Sequence, residues 1–357
     1  MQEAWNFLYE SLSIRVVFGT GSLQRLPDEL DRLGSNRTLL LAGSRKPFID
    51  DLVQRLGTRI ACLFLGSTMH VPIEIAENAR EQARQCRADA LIALGGGSAI
   101  GLAKAIAVET GLPIVAVPTT YAGSEMTPIW GITAEGVKKT ARDHNVLPKV
   151  VLYDPALTMS MPENLFGPSG MNAIAHCVEA LYAEHANPIT SLMAEEGIRC
   201  LAEGMRAIVR DPRNPDHRSQ AQYGACLGGM VLGTVGMALH HKLAHVLGGS
   251  FNLPHAAVHA VLLPQVAQFN ATAAADAMIR VARALGATRT PQALYDLAVT
   301  LKTPIALKDI GMREPDLDHA AELATRSVSF NPRPFSRAEI RLLLQAAYDG
   351  RRPSYAE

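Results

Sequence analysis

The chain has 357 residues, 48% hydrophobic and 19% charged, a composition that supplies a large buried core and excludes a disordered polypeptide. Its 34 Lys and Arg balance 34 Asp and Glu, and aromatic residues make up only 5%. Both facts argue against a nucleic-acid or anionic-membrane partner, which needs a basic face, and against stacking platforms for single strands. At roughly 100–200 residues per domain, the length fits two domains. The five cysteines, Cys62, Cys86, Cys177, Cys200 and Cys226, are scattered without a CxxC. They read as small buried residues in a reducing cytoplasm, not as disulfides or a zinc–thiolate centre. The opening MQEAWNFLYES lacks the basic and apolar regions of a signal peptide. The longest apolar run, from Ala225 to Leu239, is shorter than the roughly 20 residues of a bilayer span and reads as one buried helix.

Residues 1–157 alternate short β-rich runs with amphipathic stretches. The predicted strands are Arg15–Phe18, Arg37–Ala42, Arg59–Leu65, Ala88–Leu94, Leu112–Val117, Ile129–Thr133 and Lys149–Tyr153. A turn and helix follow the first strand, and Pro72–Ala88 carries helix-period apolar residues. Several strands are continuous apolar runs, the pattern of a parallel sheet covered on both faces. The fold class is therefore α/β and doubly wound for residues 1–157, joined to an all-helical domain over 158–357. The loops 210–219 and 329–336 break the helical part.

Three loops in the first domain stand out. The fourth strand runs into Gly95-Gly96-Gly97-Ser98 and then a helix. Glycines allow close backbone approach, and a helix N-terminus offers free N–H groups to a phosphate. The spacing is not the usual dinucleotide fingerprint, and a tight βα turn would look the same. The fifth strand ends in Pro118-Thr119-Thr120-Tyr121-Ala122-Gly123-Ser124-Glu125, which puts hydroxyls at the carboxyl edge where open sheets bind ligands. The second strand ends in Gly43-Ser44-Arg45-Lys46, with no acid for a ribose 2′-hydroxyl. A 2′-phosphate would not be repelled there.

The helical domain concentrates histidine. Asn172 and His176 are spaced i,i+4, as are His241 and His245, and His255 follows in NLPH. Imidazoles converging on one point build a metal site or polarise a carbonyl without metal. His240 and His259 flank the set as supporting candidates.

The order GGGS-x₅-K, PTT-x₃-SE, GMNAIAH and HHKLAHVLGG-x₅-PH resembles the iron-containing alcohol dehydrogenase family over essentially the whole chain. The resemblance implies an NAD(P)-binding domain over 1–157 and a substrate domain over 158–357. It implies cofactor contacts from Gly43, Ser44, Gly95, Gly96, Gly97, Ser98, Thr119, Thr120 and Ser124. It places the metal-ligand positions at Asn172, His176, His241 and His255, and His245 near the nicotinamide. Asn172 departs from the family pattern, which has Asp there. An amide brings no charge to a hard ion, so no metal is expected to be required.

Asn172, together with the PTTYAGSE and HHK segments, resembles a branch that reduces the C=C bond of 4-oxohex-2-enedioate in bacterial breakdown of aromatic compounds. The implied cofactor is NADH or NADPH, the partner a small dicarboxylate, and the assembly a cytoplasmic homodimer. Hydride addition to this enone develops enolate charge on the ketone oxygen. His245, with His176, His241 or His255, is expected to donate hydrogen bonds to it or to deliver a proton. Asn172, Lys242, Tyr121 and Arg333 are expected to bind substrate, with Lys104 as a further cation for its carboxylates. The alternatives are a metal-dependent alcohol or diol dehydrogenase of this fold, a lyase of the dehydroquinate synthase type, or a nucleotide-binding protein without turnover.

Overall fold

The computed structural model describes residues 6–134, 137–326 and 330–354; Ser329 of the expected loop lies outside them. The chain divides into two compact units, Leu12–Met161 and Pro162–Glu357, and the described residues before Leu12 go with the second. The division falls after the 3₁₀ turn Pro155–Ser160, not at 157. The Asp154 carboxylate, which caps that turn, also accepts the N–H groups of Gly21 and Leu23, so the turn belongs with the sheet.

The first unit contains β1 (Arg15–Phe18), β2 (Thr38–Ala42), β3 (Ile60–Leu65), β4 (Ala90–Gly95), β5 (Ile114–Pro118), β6 (Ile129–Ala134), β7 (Val137–Arg142) and β8 (Val150–Tyr153). Its helices are α1 (Leu26–Leu33), α2 (Pro47–Leu56), α3 (Ile73–Gln85) and α4 (Gly97–Thr110). Six strands form one parallel sheet in the order β1-β8-β5-β4-β2-β3. Every residue of β2, β5 and β8 is buried, which accounts for their uninterrupted apolar runs. The expected strand at Ile129 does form, but outside this sheet. As β6 it pairs antiparallel with β7, whose VKKTAR sequence is too polar to read as a strand.

From β2 the chain passes through α2 to the edge strand β3; from β4 it passes through α4 to β5, on the other side. Because β2 and β4 are neighbours, the winding reverses between them. Open sheets of this kind offer a crevice at that point, beyond the strands' carboxyl ends. The loops starting at Gly43 and Gly95 border it.

The second unit holds α5 (Glu163–Ala180), α6 (Pro188–Arg210), α7 (Pro215–Thr234), α8 (Leu239–Phe251), α9 (His255–Asn270), α10 (Ala275–Leu285), α11 (Thr290–Thr300), α12 (Leu317–Thr325) and α13 (Arg337–Asp349). From Gly167 to Ala180, every residue of α5 is buried. Small residues permit this close packing: a Cβ on Gly170 would lie 2.0 Å from the Met205 side chain, and one on Gly228 would lie 3.0 Å from the Ala173 carbonyl oxygen. The run from Ala225 to Leu239 is not one helix. It breaks between α7 and α8, where the chain bends by 96°, with Gly236 inside the break. Among the described residues no single helix is long and apolar enough to cross a membrane.

Candidate cofactor loops and histidine centre

In the first unit, β4 and β5 run side by side with Gly95 opposite Pro118, which brings the glycine turn and the threonine loop together. The Thr119 N–H donates to the Gly95 carbonyl at 3.0 Å. Gly95 has φ +155, and a Cβ there would sit 3.0 Å from the Ala99 Cβ. A Cβ on Gly96 would meet the Thr120 Cγ2 and Oγ1, both at 3.0 Å. These glycines therefore keep open a cradle at the N-terminus of α4, whose N–H groups suit a phosphate. Gly97 begins α4, with Ser98 following. The residues present thus fit the pyrophosphate of a dinucleotide.

The threonine loop differs in its depth. Thr119 and Tyr121 are buried while Thr120 and Ser124 are partly exposed, so Thr120 and Ser124 are the hydroxyls within easier reach of a ligand. Gly43 and Ser44 are exposed at the end of β2. The cations beside them are engaged: Arg45 pairs with Asp50 at 2.6 Å, and Lys46 donates to the Ser160 carbonyl at 3.2 Å. Lys104 is not available to a substrate carboxylate, because its ammonium is wholly buried and donates to four oxygens of its own chain.

In the second unit, α5, α8 and α9 bring Asn172, His176, His240, His241, His245, His255 and His259 into one cluster. On α5 the period puts Asn172, His176 and Glu179 on one face. Sequence reading missed Glu179. Its signal was an acid three residues past His176 in an otherwise apolar helix. Glu179 Oε2 lies 2.5 Å from His241 Nδ1, and Oε1 accepts the His240 backbone N–H at 2.7 Å. Neighbouring His241 and the hydrogen bond to it hold the Glu179 carboxyl below its usual range, against the opposing effect of burial.

The carboxylate requires the proton of neutral His241 to sit on Nδ1. His241 then presents the Nε2 lone pair, not a donor, which corrects the expectation that neutral His241 donates a hydrogen bond. That Nε2, Asn172 Oδ1 and His176 Nδ1 are buried without a hydrogen-bond partner among the described residues. Deeper in the cluster, His240 Nε2 lies 2.8 Å from His259 Nδ1, and His259 Nε2 lies 3.2 Å from His255 Nε2. Burial holds His176 and His259 well below the ordinary imidazole range and pushes His240 down to about 3. All three are neutral at pH 7 and cannot serve as imidazolium acids. His245 is exposed and His255 partly so, with rings stacked at 6.0 Å.

Of the other expected substrate contacts, Lys242 sits on α8 between His241 and His245, partly exposed. Arg333 is held elsewhere. Its guanidinium pairs with Glu339 at 2.7 Å, donates to the Phe269 carbonyl at 3.2 Å and covers the Phe269 ring. It fastens the segment that leads into α13 onto α9.

A model of the iron-containing alcohol dehydrogenase matches residues 13–155, and a model of the C-terminal part of that family matches residues 168–348. The chain belongs to the iron-containing alcohol dehydrogenase family. It is 50% identical to a maleylacetate reductase of Burkholderia cepacia, over 98% of this chain and 99% of that one. Among solved structures it resembles a maleylacetate reductase from Agrobacterium tumefaciens, with a TM-score of 0.93, 45% identity and coverage of 99% and 100%. It also resembles a putative alcohol dehydrogenase from Ralstonia eutropha JMP134, with a TM-score of 0.95, 53% identity and coverage of 98% and 99%.

The family's name implies a divalent metal. The unpartnered Asn172 Oδ1 and His241 Nε2 are lone pairs that an ion would satisfy, and Glu179 orients the imidazole as such sites do. The set brings nitrogen and amide oxygen but no anionic ligand. It fits a borderline ion such as zinc and does not fit a hard one.

Proposed function

We propose that this chain reduces the C=C bond of maleylacetate to give 3-oxoadipate, using NADH or NADPH. The observation that carries the reading is near 50% identity, end to end, to several maleylacetate reductases, joined to Asn172 at the position where the resemblance expects Asp. A bound nicotinamide supplies hydride to the alkene carbon β to the ketone. The chain's own part is then to hold the dicarboxylate, to stabilise the enolate oxygen and to protonate the α-carbon. His245 and His255 take the last two tasks, since the deeper imidazoles stay neutral. Lys242, next to His241, is the cation for a substrate carboxylate, and Asn172 contributes an amide.

An ion held by Asn172, His176 and His241 would polarise the ketone oxygen. We take the reaction not to require one, because an enolate is less basic than an alkoxide and needs weaker electrophilic help. A hydrogen-bond donor at such an oxygen is typically worth about 3–4 kcal/mol. The test is cofactor oxidation with maleylacetate beside a panel of aldehydes and diols, before and after a chelator. Enone reduction should dominate and survive chelation. Loss of activity on chelation, restored by zinc or iron and accompanied by turnover of simple alcohols, would favour a metal-dependent alcohol dehydrogenase.

A further inference from the structure

Lys104 lies two turns along α4 from the glycine turn and is wholly buried. Its Nζ donates to the carbonyls of Ser124 at 2.6 Å, Thr127 at 2.7 Å and Ile129 at 2.8 Å, and to Thr127 Oγ1 at 2.9 Å. An ammonium carries three donors and no acceptor, so four oxygens make a full shell. Three main-chain carbonyls and a hydroxyl around one positive charge resemble a coordination site for a monovalent cation, with the cation tethered to the helix.

What the ammonium grips is the continuation of the threonine loop. At its start, the Thr119 N–H holds the Gly95 carbonyl, and Thr120 lies against Gly96. At its far end, Lys104 holds residues Ser124–Ile129. The loop is thus tied at both ends to the turn and helix that form the other wall of the cradle. Without Nζ the buried Thr127 carbonyl would lose its donor, while the Ser124 carbonyl would keep the Thr127 N–H and hydroxyl, both at 3.2 Å, and the segment would have to shift to restore the missing bonds.

We propose that Lys104 is a positioning residue for the dinucleotide: its ammonium fixes the loop of Thr119, Thr120 and Ser124 against α4, so that loop and glycine turn form one phosphate-binding cradle. This rests on the reading of those loops as cofactor contacts.

The test is direct binding of NADH and NADPH, followed by nucleotide fluorescence without maleylacetate. It compares the full-length wild type with Lys104→Met, Lys104→Ala and Thr127→Val. If the wild type binds neither nucleotide, the cofactor reading of the loops is what fails. If it binds, both lysine variants should weaken affinity roughly tenfold or more, the loss expected for hydrogen bonds to a charged group. The kcat at saturating nucleotide should stay within a few-fold. In Lys104→Ala, ammonium at about 100 mM should recover much of the loss by occupying the vacated shell, whereas tetramethylammonium, too bulky, should not. Thr127→Val removes one acceptor and keeps the lysine; a weakening of roughly two- to threefold is expected. Unchanged affinity in folded variants overturns the proposal, as does a loss in Lys104→Ala that ammonium fails to reverse. Should the lysine variants not fold, unchanged affinity in Thr127→Val overturns it alone.

Discussion

Acidification should destabilise this protein through histidines that cannot accept a proton while folded. His176, His240 and His259 are buried, and burial is the main cause that holds each below its ordinary range. The unfolded chain protonates the same residues near pH 6.5. Below that pH the unfolded state binds more protons than the folded one, so stability falls as pH falls. Each neutral imidazole contributes RT ln(1 + 10^(6.5 − pH)) to the loss. From about pH 7.5 to about pH 5.5 that is on the order of 1 kcal/mol per residue and a few kcal/mol for three. This is a large fraction of a typical total of 5–15 kcal/mol. The raised carboxyl of Glu125 works in the opposite direction over part of the window, since the folded state then gains a proton. The measurement is therefore a difference. Urea unfolding of wild type and His259→Gln is compared at both pH values. The variant loses two hydrogen bonds at either pH, a constant offset, but its pH-dependent loss should be smaller by on the order of 1 kcal/mol. Equal pH dependence in the two proteins would mean that His259 takes up its proton in the folded state, and the neutral-cluster account would be wrong.

Three further outcomes are expected. Gly96→Ala should raise the cofactor KM roughly tenfold or more in a folded protein, because the new methyl meets Thr120 at 3.0 Å and closes the cradle; an unchanged KM would remove the glycine turn from the cofactor site. Glu179→Gln should weaken zinc binding roughly 10- to 100-fold, since an amide no longer dictates the His241 tautomer, with nucleotide affinity little altered; unchanged zinc affinity would show that His241 orientation is immaterial. The ratio of kcat/KM for NADH and NADPH should stay within about two orders of magnitude, because no acid follows β2 to select the 2′-hydroxyl; a thousandfold preference for NADH would contradict it.

Much of this architecture was written in the hydrophobic pattern. Strands such as β2 and β5 are buried on both sides and must be apolar throughout, so they stand out in any reading. The hairpin strand β7 did not, because its Lys138-Lys139-Thr140 sequence carries no apolar face. The break between α7 and α8 was hidden because both sides of it are apolar, and Gly236 inside such a run looks like packing. The histidines were legible from i,i+4 spacing alone. Their hydrogen-bond order was not, since it depends on Glu179 meeting α8 across 61 and 62 residues. Lys104 was misplaced among the substrate cations for a related reason. A charged residue in a sequence says nothing of its burial, although α4 is apolar on nearly every other side.

Glu179 also bears on how the histidine centre comes into being. Helix α8 begins after Ala238, which has no side chain able to cap it. Its first turn is closed instead by a carboxylate from α5, which takes the His240 N–H with one oxygen and the His241 ring with the other. The start signal of the helix and the orientation of an imidazole in the centre are therefore one object. A fluctuation that frays the first turn of α8 carries His241 away with it, and neither is restored until the two helices meet again. In such a protein the readiness of the centre is a measure of local folding, and amide exchange at His240 would report the fraction of molecules in which it is assembled.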